Sequence, residues 1–251
     1  MLLGEPPPSQ GDLHFKIFDI PVRVHPFFWV VALILGMPVA ESEDGGLKLL
    51  IWVVALFVSI LIHELGHAVA ALAHGWKPWV TLYGMGGLAS YRPTYHTTRS
   101  SIVISFAGPL AGFLFLAMVL AVMLAAGREI ALVSKLPFIV FDYNPIAEVD
   151  WLIYYLIQIN LFWGLVNLLP VYPLDGGQIS REIFLRANPH DGVKQSLLLS
   201  IFTAAGIAVC ALMVFERMFM ALLFGYLAFS SYTVLQQMSG RGGFGGQNRW
   251  H

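Results

Sequence analysis

Apolar residues run in six long blocks along the chain, separated by short polar or glycine-containing breaks. A helix that crosses the hydrocarbon core of a bilayer needs about 20 predominantly apolar residues, within a range of about 17–25. The blocks at 25–40, 47–74, 101–126, 150–170, 195–215 and 217–238 meet or approach that length. The first is short and has to tilt or lean on neighbours. Two stretches depart from the helical pattern. Residues 13–24, LHFKIFDIPVRV, alternate and are β-branched, which predicts a strand or hairpin. Residues 76–93 mix β-formers with Gly84, Gly86 and Gly87, which predicts an extended segment or hairpin at the membrane surface. The glycine-rich tail, 239–251, reads as flexible. The expected fold is an all-α polytopic membrane protein of about six transmembrane helices with a small membrane-associated β segment. Residues 1–24 form an N-terminal segment with short strands, 25–238 the six-span core and 239–251 the tail.

Composition agrees with a chain whose surface faces lipid. Of 251 residues, 57% are hydrophobic and 12% charged, against about 45–50% and about 25% in soluble domains. The net charge of −1 excludes a broad basic surface, and with it a nucleic-acid partner. The single cysteine, Cys210, excludes a disulfide framework and any multi-cysteine metal site. The N-terminus has no basic n-region and carries Pro6-Pro7-Pro8, so it does not read as a cleaved signal peptide. Basic residues near span ends set orientation. With a cytoplasmic N-terminus and six spans, ten Lys and Arg fall inside and four outside. Both termini are then cytoplasmic, and an odd number of spans would break the agreement.

The second block contains His63-Glu64-Leu65-Gly66-His67. Histidines at i and i+4 share one helix face, so both imidazoles can bind one zinc ion. Glu64 sits where a carboxylate can reach a metal-bound water. Ionisable residues inside a span are costly and mark function. A catalytic zinc usually takes three protein ligands plus water. The other histidines, His14, His25, His74, His96, His190 and His251, lie outside span interiors. Asp175, in the run Asn167 to Gly177 (NLLPVYPLDGG), lies just past the fourth block, at a matching depth. It is a candidate third ligand, or else the N-cap of a helix over 177–188, or part of a simple turn.

HELGH in one span paired with NLLPVYPLDGG in a later one resembles the site-2 protease family of intramembrane zinc metalloproteases. The resemblance covers the six-span region and includes the glycine-rich stretch 84–87 and SFAGPLAG at 105–112. It implies one zinc per chain held by His63, His67 and Asp175, with Glu64 as catalytic acid/base. It also implies a minimal catalytic core, since no stretch is long enough for the PDZ-like or CBS domains of some relatives. The partners implied are the lipid bilayer and a membrane-anchored protein substrate, in a prokaryotic cell (inner) membrane.

On this reading zinc activates a water and polarises the scissile carbonyl. Glu64 takes the water proton and returns it to the leaving amine. Asn167, at the family's eight-residue spacing before the aspartate, is the candidate oxyanion donor. Asn160 lies two helical turns earlier; either amide is otherwise an interhelical hydrogen bond. The 76–93 segment is expected to offer an edge for strand addition, with Gly84, Gly86 and Gly87 allowing close approach of substrate backbone. The competing readings are a membrane metal or ion transporter and an inactive zinc-binding scaffold. A transporter predicts acidic or histidine residues spread along a pathway.

Overall fold

Two short strands, β1 (Leu13–Ile17) and β2 (Ile20–Val24), come first in the computed structural model. It describes residues 5–41, 44–84, 86–93, 95, 97–132, 139–141, 148–214 and 216–241. Phe18 and Asp19 join these strands with both φ angles positive, at 48° and 62°. That backbone twist matches the twist of a tight antiparallel hairpin. Helix α1 (Pro26–Ala40) begins where His25 Nδ1 accepts the Phe27 N–H at 3.1 Å and Pro26 occupies the first turn. Helix α2 (Gly45–Ala73) ends in a Schellman turn. Gly75, at φ 78°, takes the left-handed position, and the Gly75 and Trp76 N–H groups donate to Leu72 and Ala71 carbonyls.

Strands β3 (Pro78–Tyr83) and β4 (Gly86–Tyr91) follow, then α3 (Thr98–Ala125), a short pair β5 (Ile130–Leu132) and β6 (Ile139–Phe141), and four helices. These are α4 (Glu148–Asn167), α5 (Asp175–Ala187), α6 (Gly192–Met213) and α7 (Met218–Arg241). Both expected β segments form, and they join into one four-stranded sheet of order β1-β2-β3-β4. β2 and β3 pair in parallel, with Val22 opposite Val80 and Val24 opposite Leu82. Five helices, among the described residues, are long and apolar enough to cross a membrane. The sixth expected span, α1, has 15 residues, a rise of about 22 Å against a hydrocarbon core of about 30 Å. Of the expected tail, 239–241 continue α7 and 242–251 lie outside the described residues.

The chain divides into two compact units. The first comprises Leu3–His96 and Phe106–Val166. Its core is built on the alternation of β2 and β3: Ile20, Val22, Val24, Val80 and Leu82 point inward. They meet Phe28 and Ala32 of α1, Ala55, Leu56, Ile60 and Ala68 of α2, and Tyr155 and Ile159 of α4. The second unit comprises Thr97–Ser105 and Asn167–His251, with α5, α6 and α7 packed in sequence. Outward helix faces stay apolar; Leu114, Val122, Phe202 and Phe229 are all more than 60% exposed. In a soluble protein such faces would be an aggregation hazard; in a multi-pass membrane protein they face lipid.

Candidate metal centre

The centre starts from one helical turn of α2. His63, Glu64 and His67 are 3%, 5% and 7% exposed inside an otherwise apolar helix. The two imidazoles stand edge to face with centroids 4.9 Å apart, and their Nε2 atoms are 3.2 Å apart. A tetrahedral zinc with bonds of about 2.0–2.1 Å sets its ligand nitrogens about 3.3–3.4 Å apart, so the spacing of this pair is close to that of two ligands on one metal ion.

Glycines give these side chains their room. A Cβ on Gly87 of β4 would fall inside contact with the Glu64 side chain, 2.5 Å from its Cδ and Oε1. A Cβ on Gly108 of α3 would run into the His67 ring. Gly66, between the ligands, faces the Ala107 carbonyl and Ala111 in the same way, so α2 and α3 cross at backbone distance. Gly86, at φ 112°, lies 3.0 Å from the Trp163 ring by the same measure, and Trp163 stands edge-on to His63 at 6.4 Å. Gly84 instead rests on Phe27 of α1. The three sequence-predicted glycines thus meet three different neighbours. Trp163 was not among the candidates, because an aromatic residue in an apolar helix has no distinguishing spacing.

Asn160 takes the structural alternative. Its Nδ2 donates to Ser59 Oγ at 2.9 Å and to the Leu156 carbonyl at 2.8 Å. Ser59 lies one turn before His63, so the bond joins α4 to the face of α2 that carries His63. Asn167 is the last residue of α4 and is buried.

In the second unit, Asp175 is the first residue of α5 and is 9% exposed. The N-cap is Leu174, and no side chain caps that end. The N-cap alternative for Asp175 is therefore corrected: its carboxylate sits in the first turn, where the helix dipole favours an anion. Gly176 and Gly177 nest on the backbone of Leu168, Leu169, Val171 and Tyr172, where Cβ atoms would not fit. Two imidazole nitrogens and a carboxylate oxygen, from His63, His67 and Asp175, are a donor set that could hold a metal ion, and one that suits zinc.

Two of the other histidines make bonds elsewhere. His25 caps α1, and His74 Nδ1 bonds the Ala70 carbonyl at 2.7 Å, as the donor since a carbonyl only accepts. His96 and His251 lie outside the described residues.

The family described as peptidase family M50 matches residues 51–210. "Zinc metalloprotease MJ0392" of Methanocaldococcus jannaschii is 30% identical over 226 residues, 88% of this chain and 56% of that protein. "Stage IV sporulation protein FB" of Bacillus subtilis is 30% identical over 174 residues, 67% of this chain and 49% of that protein. The chain spans about half the length of these curated relatives. The solved "Site-2 Protease from Methanocaldococcus jannaschii" aligns with a TM-score of 0.58 at 23% identity, covering 89% of this chain and 95% of that one. That likeness establishes a common fold.

Proposed function

The chain belongs to peptidase family M50, the site-2 protease family, and on that premise we propose that it is an intramembrane zinc metalloprotease. It hydrolyses a peptide bond in or near the transmembrane segment of a membrane-anchored protein. The observation that carries this reading is the buried turn of α2, where two imidazole Nε2 atoms 3.2 Å apart flank a carboxylate in an apolar helix.

His63, His67 and Asp175 would hold one zinc. When bound, that ion lowers the pKa of a water to about 7 and polarises a carbonyl. Glu64 accepts the water proton and delivers it to the leaving amine; its burial keeps bulk water from competing for that proton. The Asn167 amide donates to the developing oxyanion. The substrate needs an extended backbone, because a helix buries its carbonyls in internal hydrogen bonds. β4 is an edge strand of the sheet, and Gly87 on it abuts Glu64. A substrate strand added to β4 therefore runs beside the general base. Both termini are cytoplasmic if α1 completes an even number of spans, as the ten-to-four distribution of Lys and Arg supports. Among the described residues there is one group of three potential metal donors and no series of them. That weighs against a transport pathway.

The test is a paired assay of zinc content and cleavage of a membrane-anchored substrate, with wild type and Glu64→Gln. One zinc in both and cleavage only in wild type is the expected result. Cleavage by Glu64→Gln at the wild-type rate overturns the role of Glu64. Absence of zinc from both overturns the metal centre.

A further inference from the structure

We propose that Ser200 and Ser231 are positioning residues for the Asp175 carboxylate, acting through the backbone of Tyr172. The inference rests on the reading of Asp175 as a metal ligand.

Residues 168–174 connect α4 to α5 outside any helix, and Pro170 and Pro173 supply no N–H. Backbone groups at membrane depth need partners from elsewhere in the protein. Tyr172 finds both of its partners in serine side chains of two different helices. Its N–H donates to Ser200 Oγ of α6 at 3.0 Å, and its carbonyl accepts from Ser231 Oγ of α7 at 3.2 Å. Ser200 Oγ commits its own proton to the Ser196 carbonyl at 2.9 Å, so a lone pair is left to face Tyr172. The two serines are 1% and 0% exposed, so water does not compete for either bond.

The grip on Tyr172 passes to Asp175 with little slack. The Leu174 N–H bonds the Val171 carbonyl at 2.8 Å, and the Gln178 N–H bonds Leu174 at 3.0 Å. A Cβ on Gly177 would lie 2.5 Å from the Tyr172 nitrogen, so the first turn of α5 is seated directly on the gripped residue. Moving Tyr172 moves the start of α5, and Asp175 is its first residue. Ser196 provides a matched comparison. It is also buried on α6, and its hydroxyl bonds only the Val193 carbonyl of its own helix among the bonds described.

The experiment measures zinc affinity of the purified full chain in detergent, by competition with a chromogenic chelator. The variants are Ser200→Ala, Ser231→Ala, the two together, Ser200→Thr, Ser196→Ala, Asp175→Ala and each clamp substitution combined with Asp175→Ala. Each clamp substitution should weaken zinc about threefold, and the pair together about tenfold, from the usual worth of a membrane hydrogen bond. Ser196→Ala should match wild type. Ser200→Thr keeps the hydroxyl and should retain affinity. In the Asp175→Ala background the clamp substitutions should change nothing further, which a general loss of stability would not produce. Wild-type affinity in both alanine variants, or equal losses with and without Asp175, overturns the clamp. Wild-type affinity in Asp175→Ala overturns the ligand reading itself, and the clamp with it. The single variants are read separately, so a double variant that fails to fold leaves the test intact.

Discussion

Gly87→Ala is a small substitution with a large expected consequence. The new methyl would sit 2.5 Å from Glu64 Cδ and Oε1, and nearer still to Cγ. Ordinary contact begins near 3.4 Å, so the carboxylate must retreat by about 0.9 Å. The atom met most closely is Cγ, in a side chain only 5% exposed, so the fold absorbs the change by repacking: the melting temperature should fall by several degrees, since overpacking a buried site costs about 1–3 kcal/mol. The chemistry should not absorb it. A general base about 1 Å out of place costs on the order of 100-fold in rate, or about 2.7 kcal/mol. The three atoms nearest the methyl all belong to Glu64, and none to the His63 or His67 rings. The expected outcome is about one hundredth of the wild-type kcat, unchanged zinc content and a melting temperature lowered by several degrees. The kcat and KM values separate this from a substrate effect, because weakened strand addition to β4 would raise KM and spare kcat. Wild-type kcat in Gly87→Ala would refute the reasoning, since Glu64 would then tolerate the displacement or have no part in proton transfer.

Three further outcomes follow from the same geometry. Gly108→Ala drives a methyl into the His67 imidazole, and should weaken zinc about 10- to 100-fold, as disturbed ligand support does, in a chelator titration. Ser59→Ala removes the bond to Asn160 and should cost about 0.6 kcal/mol of stability, and no more than about 1.7; in an Asn160→Ala background it should cost nothing more by thermal melting. The N-terminal segment is held to the sheet by two carboxylates. Burial works against ionisation of Glu5, but hydrogen bonds from Thr81 and Trp79 and the Arg23 charge outweigh it and lower its pKa. Asp12 is pulled down to about 2, first by its bonds from Ser9 and then by Arg23. Both pKa values are depressed in the folded state, so the stabilisation is present above the unfolded values of about 4 and lost as pH falls through the folded ones. Trp79 emission, taken as the difference from Trp79→Phe, should hold from pH 7 to pH 5 and change as pH falls from about 4 toward the Asp12 value of about 2; a transition above pH 5 would contradict this.

The turn His63–His67 is legible in sequence because its chemistry is local. An i, i+4 pair in an apolar run is visible without knowing what surrounds it. Asp175 is harder. Its depth and its two glycines leave a ligand, a cap and a turn all open, and the cap is settled only by finding Leu174 in that place. The parallel pairing of β2 with β3 has no local signature, since α1 and α2 intervene. The strands β5 and β6 are three residues each, too short for an alternating pattern to register. Gly84, Gly86 and Gly87 look alike in sequence, yet one meets Phe27, one Trp163 and one Glu64. A glycine reports that something comes close; what comes close is a property of the fold.

Between residues 59 and 67, α2 turns polar side chains to three of its neighbours in the first unit. Ser59 meets the Asn160 amide of α4, and His63 meets the edge of Trp163 on the same helix. Glu64 meets Gly87 of β4, and His67 meets Gly108 of α3. A helix this apolar would ordinarily be free to slide or rotate among apolar partners, because dispersion has little directional preference. Hydrogen bonding fixes the first of these contacts, and steric clearance fixes the last two, since any side chain on either glycine would occupy the space that the functional group takes. Two glycines on two separate elements thus keep Glu64 and His67, the proposed general base and metal ligand, in register within the apolar interior.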